Sequence, residues 1–334
     1  MMRLGLGLAV TTLLAAAPSI AHAGTIDDVR SRGALNCGVN EGLVGFAKAD
    51  ASGVWHGFDV DICRAISAAV FGDPDKVNFV PLSSATRFDA LANGDIDVLS
   101  RNSTWTMSRD TNLGLDFAGI AYYDGQGFLT QASYGMRSAL ELFGARLCVV
   151  SSTTSEVNAA AYFGSKGVDV TFMTFDSRPE ALEAYSEERC DAITADQSAL
   201  ASDRSLLDDP DRHVILPEVI SKEPLGPVTR DDDPAWTDVV RWTLFSLINA
   251  EEMGHTSTTM MTVDDSKVSA TKMGQPAAQS LNLEDDWLVN VIAAVGNYGE
   301  IFDRNLGVDT ALGISRGINS PWNAGGILYA PPMP

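Results

Sequence analysis

A run of short apolar strands and amphipathic helices that passes through the chain twice is the feature that most restricts its fold. In the first pass, Leu35-Asn36-Cys37-Gly38-Val39 reads as a strand, followed by a glycine-rich loop over 41–45. Residues 59–71 read as a helix, because Ile62, Cys63, Ile66, Ala69 and Val70 recur at helical spacing and form one apolar face. Gly72-Asp73-Pro74 stops that helix. Strands are expected over 77–82 and 97–99, with a short helix over 87–93 between them. The second pass repeats the order: strand 146–150, helix 155–163, strand 168–175, helix 178–188, strand 191–195. Strands that alternate with helices predict a parallel sheet in an α/β layer, and two passes predict two α/β lobes. Residues 122–128 and 221–227 lie between the passes and after the second, and both are rich in turn formers. Two crossings between two lobes would make a hinge.

Beyond the second pass, residues 234–252 read as an amphipathic helix with Val239, Val240, Leu244, Leu247 and Ile248 on its apolar side. Residues 256–282 are polar and rich in Thr and Ser, and read as a long loop with a short helix. A further helix over 286–302 is interrupted near Gly296, and the tail through Pro331-Pro332 reads as extended.

The first 23 residues read as a secretory signal peptide: Arg3, an apolar run over 4–17, then the small-x-small site Ala21-His22-Ala23. The run is short for a membrane span, and no cysteine stands at the cleavage site to take a lipid. About 310 residues would remain, the size of roughly two domains. With 23 basic and 44 acidic residues the chain carries a net charge of −21, which makes nucleic acid and anionic lipid poor partners. The plain role of that charge is solubility, and it does not identify a cationic ligand. Four cysteines, Cys37, Cys63, Cys148 and Cys190, in an exported chain point to two disulfides. They form no C-x-x-C pair, and His56, His213 and His255 are far apart, so neither a metal site nor a cofactor is expected.

Few motifs point to chemistry. Gly313-Ile314-Ser315-Arg316-Gly317 matches G-x-S-x-G, but no histidine follows Ser315. Ser269-Ala270-Thr271-Lys272 matches S-x-x-K without the partner motifs that chemistry needs. Asn102-Ser103-Thr104 fits a glycosylation sequon, a short pattern common by chance. The stretch 100–110 says more, for it follows a strand end and holds hydroxyls, an amide, Arg101 and Arg109. Ligands of α/β sheets bind beyond the carboxyl ends of strands, and a guanidinium can grip a carboxylate with two hydrogen bonds. The plainer reading of Arg109 is a helix-start arginine paired with a nearby acid. Ser151-Ser152-Thr153-Thr154-Ser155 lies between a strand and a helix, where N–H groups and the helix dipole favour an anion. It reads as readily as an ordinary helix cap. Asp196 ends another strand and could meet an ammonium group, though such a residue more often caps the next helix.

Taken together, these segments resemble the periplasmic solute-binding proteins of amino-acid ABC transporters, with the type II binding-protein fold. Gly57-Phe58-Asp59-Val60-Asp61 is similar to that family's pattern at the first helix. Residues 104–110 with Leu115-Asp116-Phe117 resemble its ligand-arginine loop, and Asp191-Ala192 with Asp196 its D-A-x-x-x-D strand. Residues 98–102, 122–128, 220–227, 297–302 and 329–332 resemble the general amino-acid-binding branch. The resemblance implies a two-lobed α/β fold with the ligand cleft between lobes: signal peptide 1–23, lobe 1 over 24–125, lobe 2 over 126–225, and a return to lobe 1 with a C-terminal helical extension over 226–334. It implies that Arg109 binds the ligand α-carboxylate, with Thr104, Asn102, Thr153 and Thr154 around it, and that Asp196 binds the α-ammonium. Asn40 with Ser83 or Ser84 would meet the side chain. Ser84 stands where relatives often carry a stacking aromatic, and Val150 where some carry a lysine, so the side-chain preference stays open. Residues 254–281 are an insertion relative to shorter family members. The fold places Cys37 with Cys63 and Cys148 with Cys190, one disulfide in each lobe.

The implied function is capture of free L-amino acids, broad or polar in preference, outside the cytoplasmic membrane by a monomeric periplasmic protein that delivers them to ABC permease subunits. An exported enzyme on the same fold, dehydratase- or transglycosylase-like, is the alternative; it would need an additional poised acid or base. A sensor ectodomain would need a membrane helix after the lobes.

Overall fold

The computed structural model describes residues 24–261 and 278–333. The expected signal peptide, the S-x-x-K match and residues 262–277 of the insertion lie outside the described residues.

Two five-stranded sheets organise the chain. In the first, Leu35–Asn40 lies between Val77–Leu82 and Val98–Leu99, parallel to both. Val228–Arg230 then joins antiparallel to Val98–Leu99 and to Leu115–Phe117. In the second, Arg146–Val150 lies between Thr171–Phe175 and Ala192–Asp196, again parallel to both. Gln126–Gln131 runs antiparallel between Ala192–Asp196 and His213–Ile215. The expectation of a parallel sheet is therefore corrected in one strand of each sheet: Val228–Arg230 and Gln126–Gln131 run against the other four. The physical reason lies in the connections. Gln126–Gln131 and Val228–Arg230 each follow a crossing between lobes and start at the cleft end of the sheet, as the pairing of Gln126 with Asp196 records. A strand that starts where its neighbours end must run the other way.

The stretches 122–128 and 221–227, read as broken, contain strands. Tyr122–Asp124 and Glu223–Leu225 pair antiparallel, with Glu223 opposite Asp124 and Leu225 opposite Tyr122. These are the two crossings, and their turn formers keep each to three residues rather than abolishing it. Asn319 braces them: its Oδ1 accepts the Tyr123 N–H at 2.7 Å and its Nδ2 donates to the Tyr123 carbonyl at 2.9 Å.

The helix Phe58–Phe71 has both faces covered, with Val60, Ile62, Cys63, Ile66 and Ala69 all buried. It packs against Pro234–Glu252 and Trp287–Val295. Gly57 makes its start possible, since at φ 136° a Cβ would sit 2.1 Å from the Phe46 carbonyl oxygen. The break expected near Gly296 separates Trp287–Val295 from Tyr298–Asn305, and the second helix opens on an Asn297–Glu300 capping box. Residues 313–317 follow no strand, and Arg316 is held bidentate by Glu251 at 2.9 Å, so the nucleophile-elbow setting is not met there. Cys37 of the first strand is joined to Cys63 of the helix (Cα–Cα 6.1 Å) and Cys148 to Cys190 (5.7 Å), inside the reach of a disulfide. No helix among the described residues is long and apolar enough to cross a membrane.

Candidate functional site

The carboxyl ends of the parallel strands in both lobes face one cavity. Its wall includes Asn40, Ser84, Asn102, Thr104 and Arg109 from the first lobe, and Thr153, Thr154 and Asp196 from the second. Ser83 is the one expected residue outside that wall; its hydroxyl bonds the Thr86 hydroxyl at 3.1 Å instead.

On the first-lobe side, Asn40 ends its strand and donates from Nδ2 to Asn102 Oδ1 at 3.1 Å. Asn102 adopts φ 31°, a conformation asparagine tolerates better than most residues. Asp59 holds it there: Oδ2 accepts the Asn102 N–H at 2.9 Å and Oδ1 accepts the Ser100 hydroxyl at 3.1 Å. Burial pushes Asp59 up to about 6, against the pull of those hydrogen bonds and of Arg101. Thr106 caps the short helix Met107–Asn112 by accepting the Arg109 N–H, and the Arg109 guanidinium donates to the Thr104 carbonyl at 3.0 Å. No ion pair to Arg109 occurs among the described residues, so the plainer reading of an acid-paired arginine is not what is found. Burial lowers its pKa, while Glu223 and Asp196 act the other way.

On the second-lobe side, Thr153 caps the helix Thr154–Lys166, accepting the Glu156 N–H at 3.4 Å and donating to the Val150 carbonyl at 2.7 Å. It serves as both cap and cavity wall. Asp196 closes the strand Ala192–Asp196 yet makes no capping hydrogen bond to the following helix. Asp124 Oδ2 accepts the Ser198 N–H at 3.3 Å in its place. Asp196 is only 8% exposed, and its Oδ1 has no hydrogen-bond partner. Burial raises its pKa strongly, Asp124 and Glu223 add to the rise, and Arg178 and Arg109 oppose it.

Four further residues belong to this site. Arg87, 3% exposed, lines the cavity with its Nε unpartnered. Arg101, also buried, donates to the Leu82 carbonyl at 2.8 Å and to Ser84 Oγ at 3.4 Å; desolvation pulls its pKa down to about 10. Arg178 is paired bidentate with Asp203 at 2.8 and 2.6 Å. Glu223 ties the lobes together through hydrogen bonds to two wall residues, Thr104 and Thr154. Its oxygens accept from Thr104 (2.6 Å) of one lobe, from Thr154 (2.9 Å) and Asn158 (2.8 Å) of the other, and from Ser221 (2.5 Å) of a crossing. In the sequence Arg101 stands in the stretch after a strand and Glu223 in the second crossing, whereas Arg87 and Arg178 read as ordinary helix starts. Among the described residues, Arg87, Arg101 and Arg109 in the cavity wall form no ion pair, and Asp196 Oδ1 in the same wall has no hydrogen-bond partner. Among the described residues no cluster suited to a metal ion occurs.

The model of the bacterial extracellular solute-binding proteins, family 3, matches residues 35–262. The general L-amino acid-binding periplasmic protein AapJ of Rhizobium johnstonii is 51% identical over 96% of each chain. The glutamate/glutamine/aspartate/asparagine-binding protein BztA of Rhodobacter capsulatus is 47% identical over 98% of this chain and 97% of its own. A solved periplasmic binding protein from Brucella ovis, with glutathione bound, is 50% identical and superposes with a TM-score of 0.89 over 93% of this chain and 99% of that one. The chain belongs to the bacterial extracellular solute-binding proteins, family 3.

Proposed function

We propose that this protein binds free L-amino acids on the outer side of the cytoplasmic membrane and hands them to the permease of an ABC transporter. The observation that carries this reading is the charge pattern of the cavity: among the described residues Arg87, Arg101 and Arg109 form no ion pair, and Asp196 Oδ1 in the same wall has no hydrogen-bond partner. A zwitterion supplies both missing partners. Arg109, with Thr104 and the amides at Thr154, takes the α-carboxylate, and Asp196 takes the α-ammonium. Asn40, Ser84 and Asn102 face the remainder of the ligand. Arg87 and Arg101 are left over once one carboxylate is bound, which favours a second anion on the side chain and so acidic amino acids over neutral and basic ones. The relatives at 47–51% identity are named as amino-acid-binding proteins, which disfavours the enzyme reading. Residues 1–23 act as the signal peptide that sends a monomer to the periplasm, with lobes divided over 24–125, 126–225 and 226–334.

Isothermal titration with the ligand-stripped protein tests the reading, alongside mass spectrometry of ligand retained on purification. Glutamate and aspartate should bind more tightly than neutral amino acids, and any retained ligand should be unaltered. Arg109→Ala should weaken every amino acid by about 30-fold to several thousand-fold, because the α-carboxylate is common to all. Near-normal affinity in that variant removes Arg109 from the site; a chemically converted ligand favours the enzyme.

A further inference from the structure

The candidate site has a larger neighbour. A second cavity, of about 730 Å³, adjoins it between the lobes, and Asn40 and Arg178 line both. Arg101, in the wall of the candidate site, feels the charges of Glu41 and Arg178, which line that larger space. The volume falls within the range of small-molecule pockets and exceeds any single amino-acid side chain several-fold. Its two walls come from different lobes: the loop after the first strand, at Glu41, Gly42 and Leu43, and the helix Arg178–Ser186 with Leu207 beyond it. A ligand gripped by Arg109 and Asp196 at its α-carbon could therefore continue past Arg101 and Arg178 without disturbing either clamp.

The lining also selects chemistry. Arg178 and Asp203 neutralise each other as an ion pair. Of the remaining charges, Glu41, Glu180, Glu183, Asp208 and Asp209 outweigh Lys48 and Arg212. An anionic extension meets repulsion there, screened by solvent at this open rim but not cancelled. A cationic one must first pass the guanidinia of Arg87 and Arg101. An uncharged extension joined through an amide suits both zones: its carbonyl oxygen accepts from the arginines, and its body fills the cavity beside Leu43, Leu182 and Leu207.

We propose that the protein also binds glutamate derivatives extended through the γ-carbon as amides, with uncharged γ-glutamyl amides preferred over γ-glutamyl peptides that end in a free carboxylate. This rests on the amino-acid site proposed above. Gly42 offers a clean way to block the extension, since a Cβ there meets no atom within 4 Å and its φ is not in the left-handed region. Calorimetric titrations of the ligand-stripped protein with L-glutamate, γ-L-glutamylglycinamide, γ-L-glutamylglycine and glutamate α-amide test it, on the unaltered chain and on Gly42→Trp. On the unaltered chain γ-L-glutamylglycinamide should bind within about tenfold of glutamate and ahead of γ-L-glutamylglycine, the gap between the two peptides narrowing as salt rises. The α-amide, which lacks the common carboxylate, should lose most of its affinity. Gly42→Trp should weaken the γ-glutamyl ligands by about tenfold or more and leave glutamate within about threefold. Tight glutamate binding with no measurable binding of either γ-glutamyl ligand overturns the proposal, as does equal weakening of all ligands by Gly42→Trp. Failure of glutamate and of every neutral amino acid to bind overturns the amino-acid site itself.

Discussion

Asp196 shows what a buried residue does when the fold withholds its partners. Asp124 takes over the helix cap that Asp196 would otherwise supply, so the Asp196 carboxyl is left facing the cavity with one oxygen unpartnered. Desolvation raises its pKa, the negative neighbours Asp124 and Glu223 raise it further, and Arg178 and Arg109 offset part of the rise. A ligand ammonium works the other way and lowers it. The sign of the linkage follows. Below its raised ligand-free pKa Asp196 is protonated, and binding must release that proton; affinity therefore climbs as pH rises through that pKa and levels off above it. Asp196→Asn should cost roughly 10- to 150-fold in affinity on the high-pH plateau, from the loss of about 1.5–3 kcal/mol of a hydrogen bond to a charged group. The penalty should shrink as pH falls, since the native residue then also loses its charge. Calorimetry at several pH values reads both effects, and a constant ratio between variant and native protein would exclude the ammonium role. That Asp196 lies at a strand end was legible in the sequence. That it does not cap the following helix was not, because Asp124, which displaces it from that duty, is 72 positions away in the chain.

Among the elements, the loops that follow strands carry the ligand groups, and their shape depends on segments far off in sequence. The turn at Asn102 is held in an unusual backbone conformation by Asp59, in the first turn of the helix Phe58–Phe71. Asp59 contacts no ligand position; it positions Asn102. Asp59→Ala should leave the half-buried Asn102 N–H unpaired, at about 1 kcal/mol in stability. It should also weaken all amino acids to a similar degree. Thermal denaturation and titration on the same sample test this, and a variant that melts early but binds normally would show that the turn holds its shape without Asp59. The helix itself was plain from its 3.6-residue period, and so was its stop at Gly72. The short strands Tyr122–Asp124 and Glu223–Leu225 were not, because three residues are too few to show a period and turn formers flank them. Their extended shape comes from pairing with each other across 99 or more positions of chain.

At the scale of the molecule, each lobe carries its own disulfide, and the crossings, the brace at Asn319 and the shared Glu223 join the lobes. Cys37–Cys63 and Cys148–Cys190 close spans of 26 and 42 residues, for which the chain-entropy argument gives about 3–4 kcal/mol each. Neither disulfide spans the cleft, so neither restrains its opening. Replacing Cys148 and Cys190 by Ser should lower the melting temperature while ligand affinity stays within about threefold of native in the protein that remains folded. A much larger loss of affinity in well-folded protein would mean that this disulfide shapes the cleft.

Local chemistry alone determined the two α/β passes, the apolar face of Phe58–Phe71, the helix Pro234–Glu252 and the break at Gly296. Periodicity, caps and breakers act between residues a few positions apart, so they can be read along the chain. The resemblance added the roles of the clamp residues and the pairing of the cysteines. Only the tertiary structure decided the mixed sheets, since strand direction depends on which end of a sheet the chain enters after crossing between lobes. It also decided that Arg87, Arg101 and Arg109 line one cavity without ion pairs among the described residues. A guanidinium in a sequence has many acids within reach of the imagination; which of them lies within 4 Å is settled by packing.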